Sequence, residues 1–451
     1  MPSVGLAAAA SWERMREREE HVMATTGRMK RRLIGMLQKR IGEVRLDEVP
    51  DSRDRRGRRW GLGTLLAGAL LGLVAGSRSL RDVEQLTAEL PPPVRVKLGI
   101  PRRVPDTTLR DALAALEPEH VRPALHAATR AAQRRKALEP DGLPFGVVSL
   151  DGKSTAVPAA DDFFAQRHTT AETGPLVGLV RTVTATLTSS TARPVIDVFP
   201  IPASTNEMGM LHHCLSSLMR AYGRTDLFRL VTYDAGACSK ENARAVRDLG
   251  LHYLLATKSS QPTLYAEATR WLGAAAPDDA AASTTDVDHG YRVVRRLYVG
   301  DATAAPEGWE HLRTVLRVEL ETLDPKGTRV AVDNRYFVSS LMRSRLTDAQ
   351  WLLLVRRHWG VETSHQILDT AFAEDDHPWI EQNPRATVVV MVLRRIAYTL
   401  LTLWRGVSLR GDEQRARPWR DLMRDILLAA VTATLHQLRG LRDHRLPPPL
   451  S

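Results

Sequence analysis

A mixed α/β fold is what the sequence predicts: a central mixed sheet with a β-rich insertion, preceded by an α-helical domain. Three observations carry this. Apolar residues recur at helical spacing from about residue 60 to 138. Past Pro140-Asp-Gly-Leu-Pro144 the period changes, and short apolar runs alternate with helical segments. From about 259 to 345 further strand-like runs interrupt that alternation before helices return. With 451 residues, 43% of them hydrophobic, the chain is long enough for two or three domains and can bury a real core, which excludes a disordered protein.

The elements follow in order. Residues 1–59 read as a charged lead-in without a signal-peptide pattern, closing on the basic run Asp51-Ser-Arg-Asp-Arg-Arg-Gly-Arg-Arg59. Residues 60–138 read as a helical domain. Within it Trp60–Gly76 is apolar and rich in Gly and Ala, at the lower limit of length for a membrane span. It runs directly into the polar, helix-like Ser77–Leu86, so it is expected to be a buried helix, and no membrane partner is expected. Asp106 opens a further helix. Strands are expected at about 145–151, 177–188, 193–199, 227–234 and 251–257, with helices at 206–223 and 239–249. Three strands, helix, strand, helix, strand is the order of the ribonuclease-H-like fold, in which the first and fourth strands are neighbours. That gives a catalytic core in two parts, 139–258 and 346–410, split by a β-rich insertion at 259–345. A long helix is expected from Thr347 and another over 384–405. A helical segment and loose tail at 411–451 complete the chain.

Three acidic residues fall at telling places. Asp151 ends the apolar run Phe145–Leu150, Asp234 ends Leu227–Tyr233, and Glu362 lies on the helix after the insertion. Each alone has a plain reading, an Asp-Gly turn or a solvated helical Glu. Together, two carboxylates on adjacent strand ends and one on a late helix can gather divalent cations for phosphoryl transfer. The 63 Lys and Arg against 52 Asp and Glu give a net charge of +11, which favours a polyanionic partner such as nucleic acid. Other chemistries lack their parts. The chain has no Walker loop and no GxGxxG after a strand, and His212, His213 and Cys214 lack a second pair of zinc ligands. The two cysteines, Cys214 and Cys238, form no CxxC, which suits a reducing interior.

Several blocks together resemble the DDE transposases of bacterial insertion sequences, in the branch of the H-repeat-associated proteins. They are Ser79-Leu-Arg-Asp-Val-Glu-Gln-Leu86, Val148-Ser-Leu-Asp-Gly-Lys153, Ser204-Thr-Asn-Glu207, Thr232-Tyr-Asp-Ala235, Tyr253-Leu-Leu-Ala-Thr-Lys258, His358-Trp-Gly-Val-Glu362 and Leu368-Asp-Thr-Ala-Phe372. The resemblance spans nearly the whole chain. It implies that Asp151, Asp234 and Glu362 hold two Mg²⁺ ions, with Mn²⁺ able to substitute, for cleavage and strand transfer at terminal inverted repeats. It implies double-stranded DNA as partner (the element's ends and the target), a homodimer in the DNA complex, and a bacterial cytoplasmic, nucleoid-associated setting. Lys153, Lys258, Arg357 and His358 are the expected DNA contacts. The chain departs from the family's Tyr, Arg, Glu, Lys signature: His358 stands at the Arg position and Asp369 at the Lys position. Glu374 therefore stays open as an alternative third ligand to Glu362. A DNA-binding descendant without catalysis, or a nuclease that does not transpose, remains an alternative to the transposase.

Overall fold

The computed structural model describes residues 26–54, 58–158, 161–169, 174–259, 261–288, 290–303 and 305–443. Residues 1–25 of the expected lead-in and the middle of its basic run lie outside the described residues. What is described differs from a linker. Residues 26–44 form a helix (α1) that buries Leu33, Ile34, Leu37, Ile41 and Val44, spaced along one face. Helices α2 (Leu62–Val74), α3 (Leu80–Glu89), α4 (Pro92–Leu98), α5 (Asp106–Ala114) and α6 (Pro118–Arg134) follow. As expected, α2 is buried almost throughout. Its glycines serve packing: a Cβ on Gly72 would lie 2.6 Å from Val83 on α3.

The sheet holds ten strands: β1 (Val147–Val157), β2 (Ala165–Thr169), β3 (Leu176–Leu187), β4 (Val195–Pro200), β5 (Leu230–Tyr233), β6 (His252–Thr257), β7 (Ala282–Asp288), β8 (Tyr291–Asp301), β9 (Thr314–Leu323) and β10 (Arg329–Ser339). Their order is β2-β3-β1-β5-β6-β10-β9-β8-β7, with β4 also on β3. Strands β1, β5 and β6 run parallel at the centre. Helices α7 (Glu207–Tyr222) and α8 (Lys240–Asp248) make the crossovers, so the expected neighbouring of the first and fourth sequence-predicted strands holds.

The insertion departs from expectation in two ways. It opens with a helix, α9 (Pro262–Leu272), and its strands continue the central sheet, because β10 pairs antiparallel with β6. After it come α10 (Asp348–His358), α11 (Gly360–Thr370), α12 (Pro384–Leu403), α13 (Asp412–Ala416) and α14 (Trp419–Thr432). The single helix expected from Thr347 is thus two, broken at Trp359, and the last helix ends at Thr432. Gly360 sits at the break with little room, since a Cβ there would be 3.1 Å from Thr188.

One core unites the first and last of the described helices. Ile34 and Leu37 of α1, Leu70 of α2 and Leu113 of α5 cluster with Val389, Ile396 and Leu400 of α12 and Ile426 of α14. The segment Pro384–Ser408 is long and apolar enough to cross a membrane, yet its apolar window is wholly buried inside the protein. The helical N-terminal region therefore shares its apolar interior with the helices that follow the insertion. A buried ion pair also joins it to the sheet. Arg122 on α6 donates from Nε and Nη2 to the two oxygens of Asp197 on β4, both at 2.9 Å, and Nη2 donates to Ser217 at 3.0 Å.

Candidate active site

The site begins with strand register. Ser149 on β1 pairs with Thr232 on the parallel β5. Asp151 and Asp234 each lie two residues further along, so they share one face at the same edge of adjacent strands. Strand β1 does not stop at Asp151, as the Asp-Gly pair suggests, but runs to Val157 along β3, while β5 ends at Tyr233. Below the acids the Thr232 hydroxyl donates to Ser149 at 2.8 Å, and Ser149 is 2.8 Å from the Thr188 hydroxyl. His358 Nδ1 lies 3.0 Å from Thr232 Oγ1. This hydroxyl ladder ties the end of α10 to the two strands.

Glu362 stands in the first turn of α11, where a negative charge suits the helix dipole. Partial burial, then the neighbouring Asp151 charge, raise its carboxyl above the usual range, with Arg335 opposing the rise. Asp234 is raised for the same two reasons, burial first and Asp151 second. These mutual effects place Glu362, Asp151 and Asp234 in one electrostatic neighbourhood. Asp151 Oδ2 is 3.2 Å from His365 Nδ1, one turn along α11 from Glu362. Asp234 accepts from the Gly236 amide at 3.0 Å, capping its own turn. With those contacts made, no three His, Cys, Asp or Glu side chains among the described residues converge closely enough to hold an ion as they stand. The donor set itself is all carboxylate oxygen, the kind that hard divalent cations take.

A fourth carboxylate joins them. Glu207, in the first turn of α7, lies over Gly152: a Cβ on that glycine would be 1.9 Å from Glu207 Oε1. Burial, then Asp151, then Asp234 raise its carboxyl. The sequence places Glu207 at a helix start behind the cap Asn206, whose Oδ1 accepts from Gly209 at 3.0 Å. A first-turn acid has an ordinary explanation there, so only the fold reveals what it faces.

The expected DNA contacts divide. Lys258 is exposed just past β6, near enough for its charge to oppose the rise at Asp234. The other three are internal. Lys153 is buried and pairs with Asp369 at 2.7 Å and Asp375 at 2.9 Å, because β1 continues beneath α11 and the turn after it. Arg357 is buried, 2.9 Å from Asp141. His358 is buried too, and burial pushes its imidazole down to about 4, so at neutral pH the ring is uncharged. Arg335 on β10 is a further exposed cation beside the site. Its guanidinium lies over the Trp359 ring, 4.9 Å from the centroid. Glu374, the alternative third ligand, is wholly buried against Arg395.

Comparison with known families agrees with this geometry. A family model described as a transposase DDE domain matches residues 146–400, and one described as DDE_Tnp_1-associated matches 44–127. No curated protein matches the chain.

Proposed function

Because the chain belongs to the DDE transposases, of the H-repeat-associated type, we propose that it cuts DNA at the terminal inverted repeats of an insertion sequence and joins the freed ends to target DNA. The observation that carries this is the register: Asp151 and Asp234 stand level on adjacent parallel strands, with Glu362 in electrostatic reach on α11. DDE transposases generally use divalent metal ions. Here Asp151, Asp234 and Glu362 are the residues to hold two Mg²⁺ ions, with Mn²⁺ as substitute. Bound there, the metal supplies Lewis-acid activation of the attacking oxygen and neutralises charge on the phosphodiester.

The chain's own groups do the positioning. His365 orients the Asp151 carboxylate, and the Thr232–Ser149–Thr188 ladder with neutral His358 fixes the height of α10 and α11 against the strands. Glu374, locked in the interior by Arg395, leaves the third-ligand role to Glu362. Lys258 and Arg335 hold the DNA backbone near the acids, as cations that contact phosphate without reading sequence. Joining two ends calls for a homodimer on the DNA. The buried, unpaired Cys214 and Cys238 suit a reducing bacterial cytoplasm.

The test is cleavage of a labelled duplex spanning the element's own end, with Mg²⁺ or Mn²⁺, by wild type, Asp151→Asn and Glu362→Gln. Boundary cutting that needs the metal and both acids is expected. Specific binding without cutting would indicate a DNA-binding descendant, and neither binding nor cutting would refute the assignment.

A further inference from the structure

Glu207 is the carboxylate the DDE triad does not account for. It arrives from α7, an element separate from those that carry Asp151, Asp234 and Glu362. Among the described residues its carboxylate makes no hydrogen bond and no ion pair. The nearby cation Arg181 donates from Nη2 to the backbone carbonyls of Thr205 at 2.6 Å and Pro202 at 3.5 Å, so it meets Glu207 through charge alone. The chain makes specific room for Glu207: residue 152 is glycine, and any side chain there would occupy the space of the Glu207 carboxylate. A half-buried acid near two other acids, with only the Arg181 charge set against theirs, is unfavourable by itself. A divalent cation shared among them removes that penalty.

We propose that Glu207 is a fourth metal-holding carboxylate of this active site, acting with Asp151 and Asp234, and that Gly152 is present to admit it. The inference rests on the transposase reading. It goes further by assigning a metal-binding role to a residue outside the triad, and by making metal affinity depend on the approach of α7 to β1. The effect of ligand charge count on divalent affinity makes the expectation definite.

The experiment is Mn²⁺ binding to the full-length protein, followed by electron paramagnetic resonance of free Mn²⁺ and by calorimetry, for wild type, Glu207→Gln and Asp151→Asn. Glu207→Gln should bind at least one Mn²⁺ roughly tenfold or more weakly, a loss of the size seen when a metal-site partner is removed. Its metal-free thermal midpoint should match or exceed wild type, because a repelling charge has gone. Mn²⁺ affinity within twofold of wild type in Glu207→Gln, with Asp151→Asn impaired, overturns the proposal and leaves the transposase reading intact. Absence of Mn²⁺ binding by wild type overturns both. Should Glu207→Gln unfold, Gly152→Ala tests the same carboxylate from the strand side: weakened Mn²⁺ binding supports the proposal and unchanged binding refutes it.

Discussion

Replacing Gly152 by alanine adds one methyl group at the edge of the site, and the structure says what it meets. The new Cβ would sit 1.9 Å from Glu207 Oε1, whereas ordinary contact begins near 3.4 Å, so the carboxylate must withdraw by about 1.5 Å. Glutamate is flexible and the clashing atoms are at its far end, so the side chain can swing away without moving β1 or α7. The fold should therefore tolerate the change, with a metal-free thermal midpoint at or above wild type. Function should not, since a misplacement of about 1 Å in a catalytic group is enough for roughly a 10²-fold loss of rate. Single-turnover cleavage of an element-end duplex at fixed Mg²⁺ reads this directly. The double variant Gly152→Ala with Glu207→Gln supplies the control: both changes remove the same carboxylate, so the second should add little to the first. Cleavage by Gly152→Ala within about twofold of wild type, or losses that multiply in the double variant, would refute the reasoning.

Three further outcomes follow from the structure. Asp197→Ala leaves the buried Arg122 without its bidentate partner and should destabilise the protein by about 3–5 kcal/mol in urea unfolding, with Asp197→Leu plus Arg122→Met recovering most of the loss; a loss under about 1 kcal/mol would contradict the buried pair. His358, whose imidazole is held down at about 4 by burial, takes up a proton more readily in the unfolded chain, so its contribution is complete above its ordinary value of about 6.5 and is lost as pH falls from there to about 4. The full effect is about 3 kcal/mol, and His358→Asn should flatten stability against pH over that window, measured in EDTA; identical pH curves would exclude it. Lys258→Ala should weaken DNA binding evenly across sequences and reduce the slope of log affinity against log salt by about 1, while Arg357→Gln should lower stability and leave that slope unchanged.

The parallel centre of the sheet was legible because its strands are short apolar runs separated by recognisable helices. Asp151 and Asp234 stand where those runs predict, and their register follows from the Ser149–Thr232 pairing. Other features turn on contacts between residues far apart in sequence. Asp151-Gly152 suggests a turn, and only the approach of Glu207 shows why glycine occurs in the middle of a strand. The strand-like runs within 259–345 revealed strands but not the bonding of β10 to β6, because pairing leaves no mark on either segment alone. Lys153 and Arg357 carry charges that suit phosphate as well as they suit Asp375 and Asp141, and only burial separates the two roles. In α1 a high density of Lys and Arg concealed the apolar face of Leu33, Leu37, Ile41 and Val44.

The core shared by the first and last helices also sets a timetable for synthesis. Gln38 on α1 donates to the carbonyl of Arg442, 404 residues downstream, and Lys97 reaches Asp443 at 2.6 Å. At about 5–20 residues per second the ribosome takes roughly 20–80 s to cover that separation. Until α12 emerges, α1, α2 and α5 have only the other N-terminal helices to pack on, and the part of their apolar faces that α12 covers stays open on the nascent chain. Ribosome-arrested chains ending before Pro384 should accordingly be cut by protease within residues 26–134, and resistance there would show that the helices close without their distant partners. A chain built this way cannot complete its structure until its last helices have been made.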